Sequence, residues 1–297
     1  MKILGIDIGG TSIKADIYDE NGKNLMQFSM HPTQIDKDKQ TNKILEQVYE
    51  LVESYMKNNI IDGIAISTAG VVNNNGEIVF AGSTIPGYSG IAIKESLEKR
   101  YNLPVSVQND VNCAALAEMW LGNAKNTTSS FMITIGTGIG GALVIDNQLI
   151  QGYNFTAGEV GYIPIQGERW ENKASASALI KEYEIRSGLK NQDGILFFEA
   201  LEKGDALAQE VFNEFIDSLA EGLIIISYLF NPEVIIIGGG IMSRENVIIP
   251  ALRNRISKKE YNQIFLPKKI LSAKFGNEAG RLGATRYFLN YFGTVKN

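Results

Sequence analysis

Short apolar runs alternate along this chain with longer segments of helical periodicity. In the segment 41–58, apolar residues recur at the three- and four-residue spacing of one helix face. The apolar runs predict strands at 3–8, 12–18, 24–31, 63–67, 105–107, 130–135, 142–145, 234–237 and 270–273. The helical spacing predicts helices at 41–58, 93–101, 112–121, 174–187, 206–228, 250–256 and 279–290. Strands that alternate with helices indicate an α/β architecture with both faces of the sheet covered.

A unit of strand, glycine turn and strand occurs twice. The first copy reads Gly5-Ile6-Asp7-Ile8-Gly9-Gly10-Thr11 and the second reads Ile133-Thr134-Ile135-Gly136-Thr137-Gly138. The long period favours an internal duplication, and therefore two domains of similar fold. No low-complexity linker separates the halves, so we place the boundary on the helix near 116–121. The predicted domains are 1–117 with roughly 280–297, and 118–279.

The composition narrows the class of protein. The 297 residues are 44% apolar and 21% charged, which is typical of a soluble globular protein. The net charge is −5 and no dense Lys/Arg cluster is present, so we expect no nucleic-acid partner.

The longest apolar stretch, 223–230, is far shorter than a membrane span. The first residues enter a strand without the features of a signal peptide, so we expect no membrane partner and a cytoplasmic location.

Metal and disulfide chemistry is restricted by the number of suitable residues. The chain contains one cysteine, Cys113, and one histidine, His31. A single thiol cannot form an internal disulfide. Structural zinc sites use about four Cys or His ligands. We therefore predict that the protein uses no zinc.

Three glycine turns follow predicted strands, at Gly9-Gly10-Thr11, Gly136-Thr137-Gly138 and Gly238-Gly239-Gly240. Glycine permits positive φ and lets backbone N–H groups approach a phosphate closely. Any one of these turns is more typical of a tight hairpin, but the three together favour a nucleotide site. The sequence lacks the glycine-lysine motif of P-loop proteins. It also lacks a Rossmann fingerprint after the first strand.

Polar residues at the predicted strand ends are candidates for chemistry. Asp7 leads into the first glycine turn, where it can hold Mg²⁺ beside phosphates or simply cap the turn. Lys14 can reach phosphate or be an exposed strand residue. Asn109 and Asp110 follow a strand and precede a helix, where ligands of α/β proteins bind. Asp110 can accept a proton from a substrate hydroxyl, or it can cap the helix.

Two glutamates in polar, glycine-containing stretches are weaker candidates. Carboxylates accept paired hydrogen bonds, so Glu159 and Glu171 can contact the hydroxyls of a sugar. Taken alone, each is more typical of a surface glutamate.

Seven motifs, in order, resemble those of the ROK sugar kinases of the actin-like ATPase superfamily. The similarity covers almost the whole chain and lies in the segments 6–14, 68–72, 85–88, 109–115, 136–141, 158–161 and 237–240. The resemblance implies two actin-like, ribonuclease H-like lobes, each a mixed sheet flanked by helices, with a cleft between them. It also implies phosphoryl transfer from MgATP to the 6-hydroxyl of a hexose, and a homodimer.

The resemblance also implies a role for each matching residue. Asp110 is similar to the base that deprotonates the sugar hydroxyl. The residues similar to sugar contacts are Gly70, Thr84, Asn109, Asp110, Glu159 and Glu171. The residues similar to the ATP cradle are Gly9, Gly10, Thr11, Lys14, Thr137, Gly138, Gly239 and Gly240. Asp7 is similar to a magnesium-associated carboxylate.

One departure from the family pattern concerns zinc. Tyr162 stands where most members have a histidine, and the segment 167–170 replaces their cysteine cluster. We expect other packing, with Tyr162 and Trp170 as candidates, to hold this loop. Zinc-free members include N-acetylmannosamine kinases and β-glucoside kinases, and the motifs are most similar to the former. Glucokinase or β-glucoside kinase activity is the alternative.

A non-catalytic sugar-sensing regulator is a more distant alternative. Some family members are repressors with an added DNA-binding region before the first motif. In this sequence the first strand begins at Ile3, so we expect no helix-turn-helix. Asp110 occupies the position of the base, which favours an enzyme.

Overall fold

Strands and helices alternate in the computed structural model, which describes residues 1–82, 85–260 and 262–293. The strands are β1 Lys2–Ile8, β2 Ser12–Asp19, β3 Ser29–Pro32, β4 Ile35–Asp36, β5 Thr41–Asn42, β6 Gly63–Thr68, β7 Val71–Val72, β8 Ile78–Phe80, β9 Val105–Asn109, β10 Ser129–Ile135, β11 Ile139–Ile145, β12 Gln148–Ile150, β13 Pro164–Ile165, β14 Glu168–Arg169, β15 Val234–Gly238 and β16 Lys269–Ser272. The α-helices are α1 Ile44–Met56, α2 Ile93–Tyr101, α3 Asp110–Leu121, α4 Glu171–Ala174, α5 Ala176–Ser187, α6 Gly194–Glu202, α7 Ala206–Phe230, α8 Glu245–Lys259 and α9 Ala279–Phe292.

Among the described residues, no helix combines the length and the apolar character that crossing a bilayer requires.

The chain divides into two compact units. The N-terminal unit comprises the described residues of Met1–Lys125, Gln151–Thr156 and Asn277–Asn297. The C-terminal unit comprises Asn126–Ile150 and the described residues of Ala157–Gly276. Compactness groups residues by proximity, whereas a domain is a unit that can fold by itself. The domain bounds drawn from the sequence therefore stay a prediction.

Each unit contains a mixed sheet of the same topology. In the N-terminal unit the strand order is β3-β2-β1-β6-β9, and in the C-terminal unit it is β12-β11-β10-β15-β16. The first three strands of each order pair antiparallel, and the last three pair parallel. The predicted α/β class with two mixed sheets flanked by helices is therefore confirmed.

The parallel strands of the N-terminal unit end together. Ile8 of β1 pairs with Thr68 of β6, and Thr68 pairs with Asn109 of β9. The carboxyl ends of parallel strands lie at one edge of a sheet, and ligands of α/β proteins bind beyond that edge. The register therefore brings the ends of β1, β6 and β9, each of which precedes a polar or glycine-containing turn, to a common place.

Alternation along β1 decides which residues meet which helices. Leu4, Ile6 and Ile8 are buried in the core that includes residues of α1 and α2. Ile3 faces the other way and packs with Phe288 of α9. Because side chains alternate along a strand, Asp7 shares the face of Ile3. The pattern of β1 therefore presents the carboxylate of Asp7 toward the start of α9.

Some predicted elements have different limits in the structure. The predicted strand 24–31 is wrong over most of its length, and β3 covers only Ser29–Pro32. Asn24 instead donates a side-chain hydrogen bond to Asp16 Oδ2 at 2.8 Å, and Met26 has a φ of +59°. Residues with such a backbone conformation interrupt a strand. The side-chain hydrogen bond of Asn24 and the positive φ of Met26 therefore delay the start of the strand to Ser29.

The helices also differ from prediction in the C-terminal unit. The predicted helix 174–187 is confirmed as α5, Ala176–Ser187, which begins two residues later because Ser175 has an extended backbone and accepts a hydrogen bond from Ala178 N–H as the N-cap. Helix α8 begins at Glu245 rather than at Pro250, which lies inside it. Helix α6, Gly194–Glu202, was not predicted. The apolar run within α6 has no clear helical spacing, so pattern alone did not reveal it.

Candidate active site

Asp7 lies in a half-buried environment at the end of β1. Ser67 Oγ donates a hydrogen bond to Asp7 Oδ1 at 2.8 Å. A methyl group on Gly280 would lie 2.7 Å from Asp7 Oδ1, so α9 begins directly against this carboxylate. Burial raises the pKa of Asp7, and the Ser67 hydrogen bond and the charges of Lys14 and Arg281 oppose that rise. Burial therefore destabilises the ionised form of Asp7 more than these neighbours stabilise it.

Lys14 is the cross-strand partner of Asp7. The two residues pair in the antiparallel register of β1 and β2, which places their side chains on the same face. Lys14 is half-buried rather than exposed. The alternative of a solvent-exposed strand residue is therefore wrong for Lys14.

The first glycine turn joins β1 to β2. Gly9 N–H donates to Ser12 O at 3.0 Å, and Thr33 Oγ1 donates to Gly9 O at 2.6 Å. Gly10 and Thr11 are exposed at the tip of the turn. The turn is thus a tight hairpin held by Thr33, which directly follows β3, and its tip is exposed.

Asn109, rather than Asp110, caps helix α3. Asn109 Oδ1 accepts hydrogen bonds from the N–H groups of Val111 at 2.9 Å and Asn112 at 3.1 Å. Asp110 lies one residue further, in the first turn of α3. The alternative that Asp110 is the N-cap of this helix is therefore wrong, although its Oδ1 accepts from Val111 N–H at 2.9 Å.

Asp110 is half-buried at the carboxyl edge of the N-terminal sheet. Asn109 Nδ2 donates to Asp110 Oδ1 at 3.0 Å, which fixes the carboxylate at the head of α3. Burial, and also the charge of Asp110, raises the pKa of the Tyr88 phenol, whose hydrogen bond with Thr68 opposes the rise. The hydroxyls of Tyr88 and Thr68 lie 2.7 Å apart. Asp110 therefore lies at a strand-to-helix junction, close enough to the buried Tyr88–Thr68 pair for its charge to act on Tyr88.

Gly70 is tied to the same junction. Asn109 Nδ2 donates to Gly70 O at 3.0 Å, and Gly70 has a φ of +99°. A methyl group on Gly70 would lie 2.7 Å from Phe80 O. The backbone conformation and the close approach both require glycine.

The other glycine turns lie in the C-terminal unit. Gly136 N–H donates to Gly138 O at 3.0 Å, and Gly136 O accepts from Ala176 N–H at 3.0 Å at the start of α5. Positive φ, which motivated these glycines as candidates, occurs in the described turns only at Gly239, with a φ of +96°. Positive φ therefore does not explain the glycines of the first two turns. Close packing explains Gly138, where a methyl group would lie 2.6 Å from Glu171 Oε2, but not Gly136, where it would meet no atom within 4 Å.

A cavity of about 660 Å³ lies beside these turns, wholly within the C-terminal unit. It has apolar walls from α5, α6 and the segment after β15, with polar groups at its margins. Its lining residues include Gly136, Thr137, Ala176, Ile180, Phe198, Gly240 and Ile241. Cavities of this size and character are typical of small-molecule sites. Helix α6, which supplies one wall, is the functional element that the sequence did not reveal.

Glu159 and Glu171 lie close together in the C-terminal unit. Partial desolvation, and then the negative charge of Glu171, raises the pKa of Glu159. Glu171 Oε1 is 3.9 Å from Arg169 Nη1. The Glu171 carboxylate also lies against Gly138, as described above. The structure therefore joins two predicted sugar contacts to one predicted phosphate turn.

Tight packing on β11 holds the loop that carries Glu159. Methyl groups on Gly158 and Gly161 would lie 2.2 Å from Gly141 O and 2.3 Å from Ile139 O, so both positions require glycine. Trp170 is fully buried, and its indole Nε1 donates to Ser218 O at 2.9 Å. A methyl group on Gly222 of α7 would lie 2.1 Å from the Trp170 ring. Trp170 therefore anchors this loop to α7.

Tyr162 contributes less to holding this loop. Its side chain is 45% exposed, and the Arg169 guanidinium lies 4.5 Å from its ring centroid. Exposed cation–π contacts stabilise by only about 0.5–1 kcal/mol. Of the two candidates for packing the loop, Trp170 is therefore the main one.

Among the described residues, no group of three or more His, Cys, Asp or Glu residues is arranged to hold a metal ion. The absence of zinc from the protein stays a prediction. Thr84, a predicted sugar contact, lies outside the described residues.

The structure adds two residues that sequence reasoning missed. Ser67 donates to Asp7, and Arg281 lies close enough for its charge to lower the pKa of that carboxyl. Arg281 is 5% exposed although it carries a charge. The sequence around Arg281 did not mark it as a site residue, because only the tertiary fold brings α9 to β1.

Comparison with known proteins identifies the family. The sequence model of the ROK family matches residues 3–290. A β-glucoside kinase of Klebsiella pneumoniae is 32% identical over 97% of this chain and 96% of its own.

Two solved structures share the fold. A Listeria monocytogenes protein proposed to be an N-acetylmannosamine kinase is 31% identical, with a TM-score of 0.85 over 98% of this chain and 99% of its own. A Streptomyces griseus ROK glucokinase, solved with glucose and AMPPNP, is 26% identical, with a TM-score of 0.81 over 97% of this chain and 99% of its own. The chain belongs to the ROK family.

Proposed function

We propose that the protein is an ATP-dependent sugar kinase that phosphorylates the 6-hydroxyl of a hexose. The observation that carries the proposal is the Asn109–Asp110 pair, fixed at the carboxyl edge of the sheet at the head of α3. In a member of the ROK family, a rigid carboxylate at this position supports proton transfer from a substrate hydroxyl.

Asp110 is the proposed catalytic base. Phosphoryl transfer depends mainly on positioning and on charge stabilisation, so the base must be held in place rather than be strongly basic. The hydrogen bonds from Asn109 Nδ2 and Val111 N–H orient Asp110 Oδ1. The carboxylate then accepts the hydroxyl proton as the sugar oxygen bonds to phosphorus. Asn109, Gly70, Glu159 and Glu171 are the proposed sugar contacts, and Thr84 is proposed from sequence alone.

The 660 Å³ cavity is the proposed site for the adenosine of ATP. Its apolar walls suit a planar base, and the adjoining turns place backbone N–H groups near the phosphates. Thr137, Gly138, Gly239 and Gly240 are the proposed contacts in this unit. Gly9, Gly10, Thr11 and Lys14 are those of the N-terminal unit. The relative crystallised with AMPPNP supports a triphosphate donor.

Asp7 is the proposed magnesium-associated carboxylate. Mg²⁺ is held by oxygen ligands, commonly one or two carboxylates, waters and substrate phosphates, and a single half-buried carboxylate that pairs across the strands with Lys14 fits that pattern. When bound, the ion would neutralise developing charge on the phosphates. Ser67 orients Asp7, and Lys14 supplies a further positive charge beside it.

N-acetylmannosamine is the proposed substrate, with glucose and β-glucosides as the alternatives. The relatives support both, since one is a β-glucoside kinase and another is proposed to be an N-acetylmannosamine kinase. An assay that couples ADP release to NADH oxidation, run with N-acetylmannosamine, glucose, N-acetylglucosamine and cellobiose, ranks them by kcat/KM. Absence of ADP release with every sugar would favour a sugar-sensing regulator instead.

We also propose that the protein is a homodimer and that it is located in the cytoplasm. Light scattering tests the oligomeric state, and cell fractionation tests the location.

Asp110→Asn tests the assignment of the base. The amide can keep the hydrogen bond from Val111 N–H, so the fold and sugar binding should persist. Loss of a positioned general base typically lowers kcat by about 10²–10⁴-fold. Sugar affinity by calorimetry should change little, while kcat falls. A variant with near-normal kcat would show that another group takes the proton.

A further inference from the structure

A second cavity, of about 360 Å³, lies in the N-terminal unit and has no role in the phosphoryl transfer proposed above. Its lining residues are Val71, Val79, Phe80, Asn154, Phe155 and Thr156. None of these side chains carries a charge. Phe80 is 55% exposed and Val79 is 43% exposed, so the cavity offers apolar surface that is open to solvent.

The first wall of the cavity is fixed to the residue that precedes Asp110. Val71 and Phe80 pair across β7 and β8. Gly70, which immediately precedes Val71, accepts the hydrogen bond from Asn109 Nδ2 through its carbonyl at 3.0 Å. The wall is therefore attached to Asn109 through a single residue.

The second wall is fixed to the same strand end. Asn154, Phe155 and Thr156 follow Gln151, whose Oε1 accepts a hydrogen bond from Gln108 Nε2 at 2.9 Å. Gln108 is 1% exposed, and its own Oε1 accepts from Asn109 N–H at 2.7 Å. Both walls are thus attached to the end of β9 that presents Asp110.

Phe155 adopts an unusual backbone conformation in this wall. Its φ is +63°, a region that bulky residues rarely occupy. Strained residues of this kind persist where the surroundings hold them, and they concentrate at ligand sites. Met26 of the same unit has a similar φ, so it is the position of Phe155 in the cavity wall, together with its conformation, that marks the cavity as a candidate binding surface.

We propose that this cavity holds a neutral substituent of the hexose, so that the protein prefers hexoses carrying an acetamido or glycosidic group over unsubstituted glucose. The proposal rests on the sugar-binding role of Asn109 and Asp110 given above. The rings of Phe80 and Phe155 offer apolar contact for a methyl group or a pyranose face. Asn154 and Thr156 offer hydrogen bonds to an amide or a hydroxyl.

The size of the cavity explains the preference. A liquid water occupies about 30 Å³, so the cavity has room for several waters beside a bare glucose. A substituent that fills it displaces water from apolar surface, which is favourable. Phe155 and Val79 are therefore specificity-determining residues.

Equilibrium binding to the full chain tests the proposal without requiring turnover. Titration calorimetry gives Kd for glucose, N-acetylmannosamine and cellobiose. The wild type should bind at least one substituted sugar about tenfold more tightly than glucose. Phe155→Asn removes the ring with a residue that tolerates positive φ, and Val79→Trp fills the cavity. Each should abolish the preference and leave the Kd for glucose within about threefold.

Tyr153→Asn is the matched control, because Tyr153 is 95% exposed in the same segment and does not line the cavity. It should leave all three Kd values unchanged. Tighter binding of N-acetylmannosamine than of glucose indicates that the cavity holds an acetamido group. Tighter binding of cellobiose than of glucose indicates that it holds a glycosidic group. A wild type without preference, or variants that shift every Kd equally, would overturn the proposal. A separate coupled assay that shows no turnover with any sugar would overturn the kinase function instead.

Discussion

The carboxylate of Asp7 carries a desolvation cost that agrees with its proposed role as a magnesium-associated residue. Burial raises its pKa, yet Ser67, Lys14 and Arg281 each act to keep it ionised. Asparagine would fill the same volume at a lower desolvation cost, because it carries no charge. A side chain that lowers the stability of the fold in this way is typical of functional sites.

Asp7→Asn should therefore separate activity from stability. We expect kcat to fall by about 10–100-fold, the usual effect of losing a group that orients a metal or its ligands. The melting temperature at pH 7 should stay the same or rise, because a charge has been removed from a half-buried site. Thermal denaturation and steady-state kinetics on one preparation provide both values. A lower melting temperature with normal kcat would mean that Asp7 is structural.

Glu159 gives a prediction that depends on pH. Its pKa is raised in the folded protein by desolvation and by the charge of Glu171. A raised folded-state pKa means that ionisation costs stability above that pKa, and that the cost vanishes below the unfolded value of about 4.3. Glu159→Gln should therefore raise the melting temperature at pH 7 but not near pH 4.

Glu168→Gln is the control for this change, since Glu168 is an exposed carboxylate in the same loop. It should shift the melting curve little at either pH. An equal gain for Glu159→Gln at both pH values would contradict the electrostatic explanation.

At the scale of elements, the junction between β9 and α3 shows what the sequence could and could not predict. The strand, the polar pair and the helix were all predicted from the sequence, but only Asp110 was predicted as a possible cap of the helix. The fold decides, because Asn109 alone has a side chain that bonds both the helix N–H groups and Gly70 O. Likewise Trp170 was only a candidate anchor, since its partner Ser218 lies on a helix 48 residues away.

Two substitutions of Asn109 separate its roles. Serine is nearly as good an N-cap as asparagine but is too short to reach Gly70 O, whereas alanine loses both functions. Asn109→Ala should lower the free energy of unfolding by about 1 kcal/mol more than Asn109→Ser. Both should weaken sugar binding, measured by calorimetry. Wild-type sugar affinity in Asn109→Ser would show that the contact to Gly70 is dispensable.

For the whole molecule, the repeated strand–turn–strand unit predicted two similar sheets, and the shared topology confirms them. The cavities were not predictable, because each is built from segments far apart in sequence. The larger one joins Gly136, α5, α6 and the residues after β15. Such sites depend on long-range packing that periodicity does not encode.

This arrangement predicts that nucleotide and sugar protect different parts of the chain from hydrogen exchange. AMPPNP alone should slow exchange most at 136–138, 176–184 and 194–198, which line or adjoin the larger cavity. At a concentration of 100 Kd, a site is stabilised by about 2.7 kcal/mol, which corresponds to about 100-fold slower exchange through openings that destroy it. Sugar alone should slow exchange at Val71–Val72 and Val105–Asn109. The edge strand β12 lines neither cavity and serves as the control. A ligand slows exchange mainly at amides that become exposed only when its own binding site opens. Equal protection of both sets of segments by AMPPNP would therefore contradict the assignment of the larger cavity to adenosine.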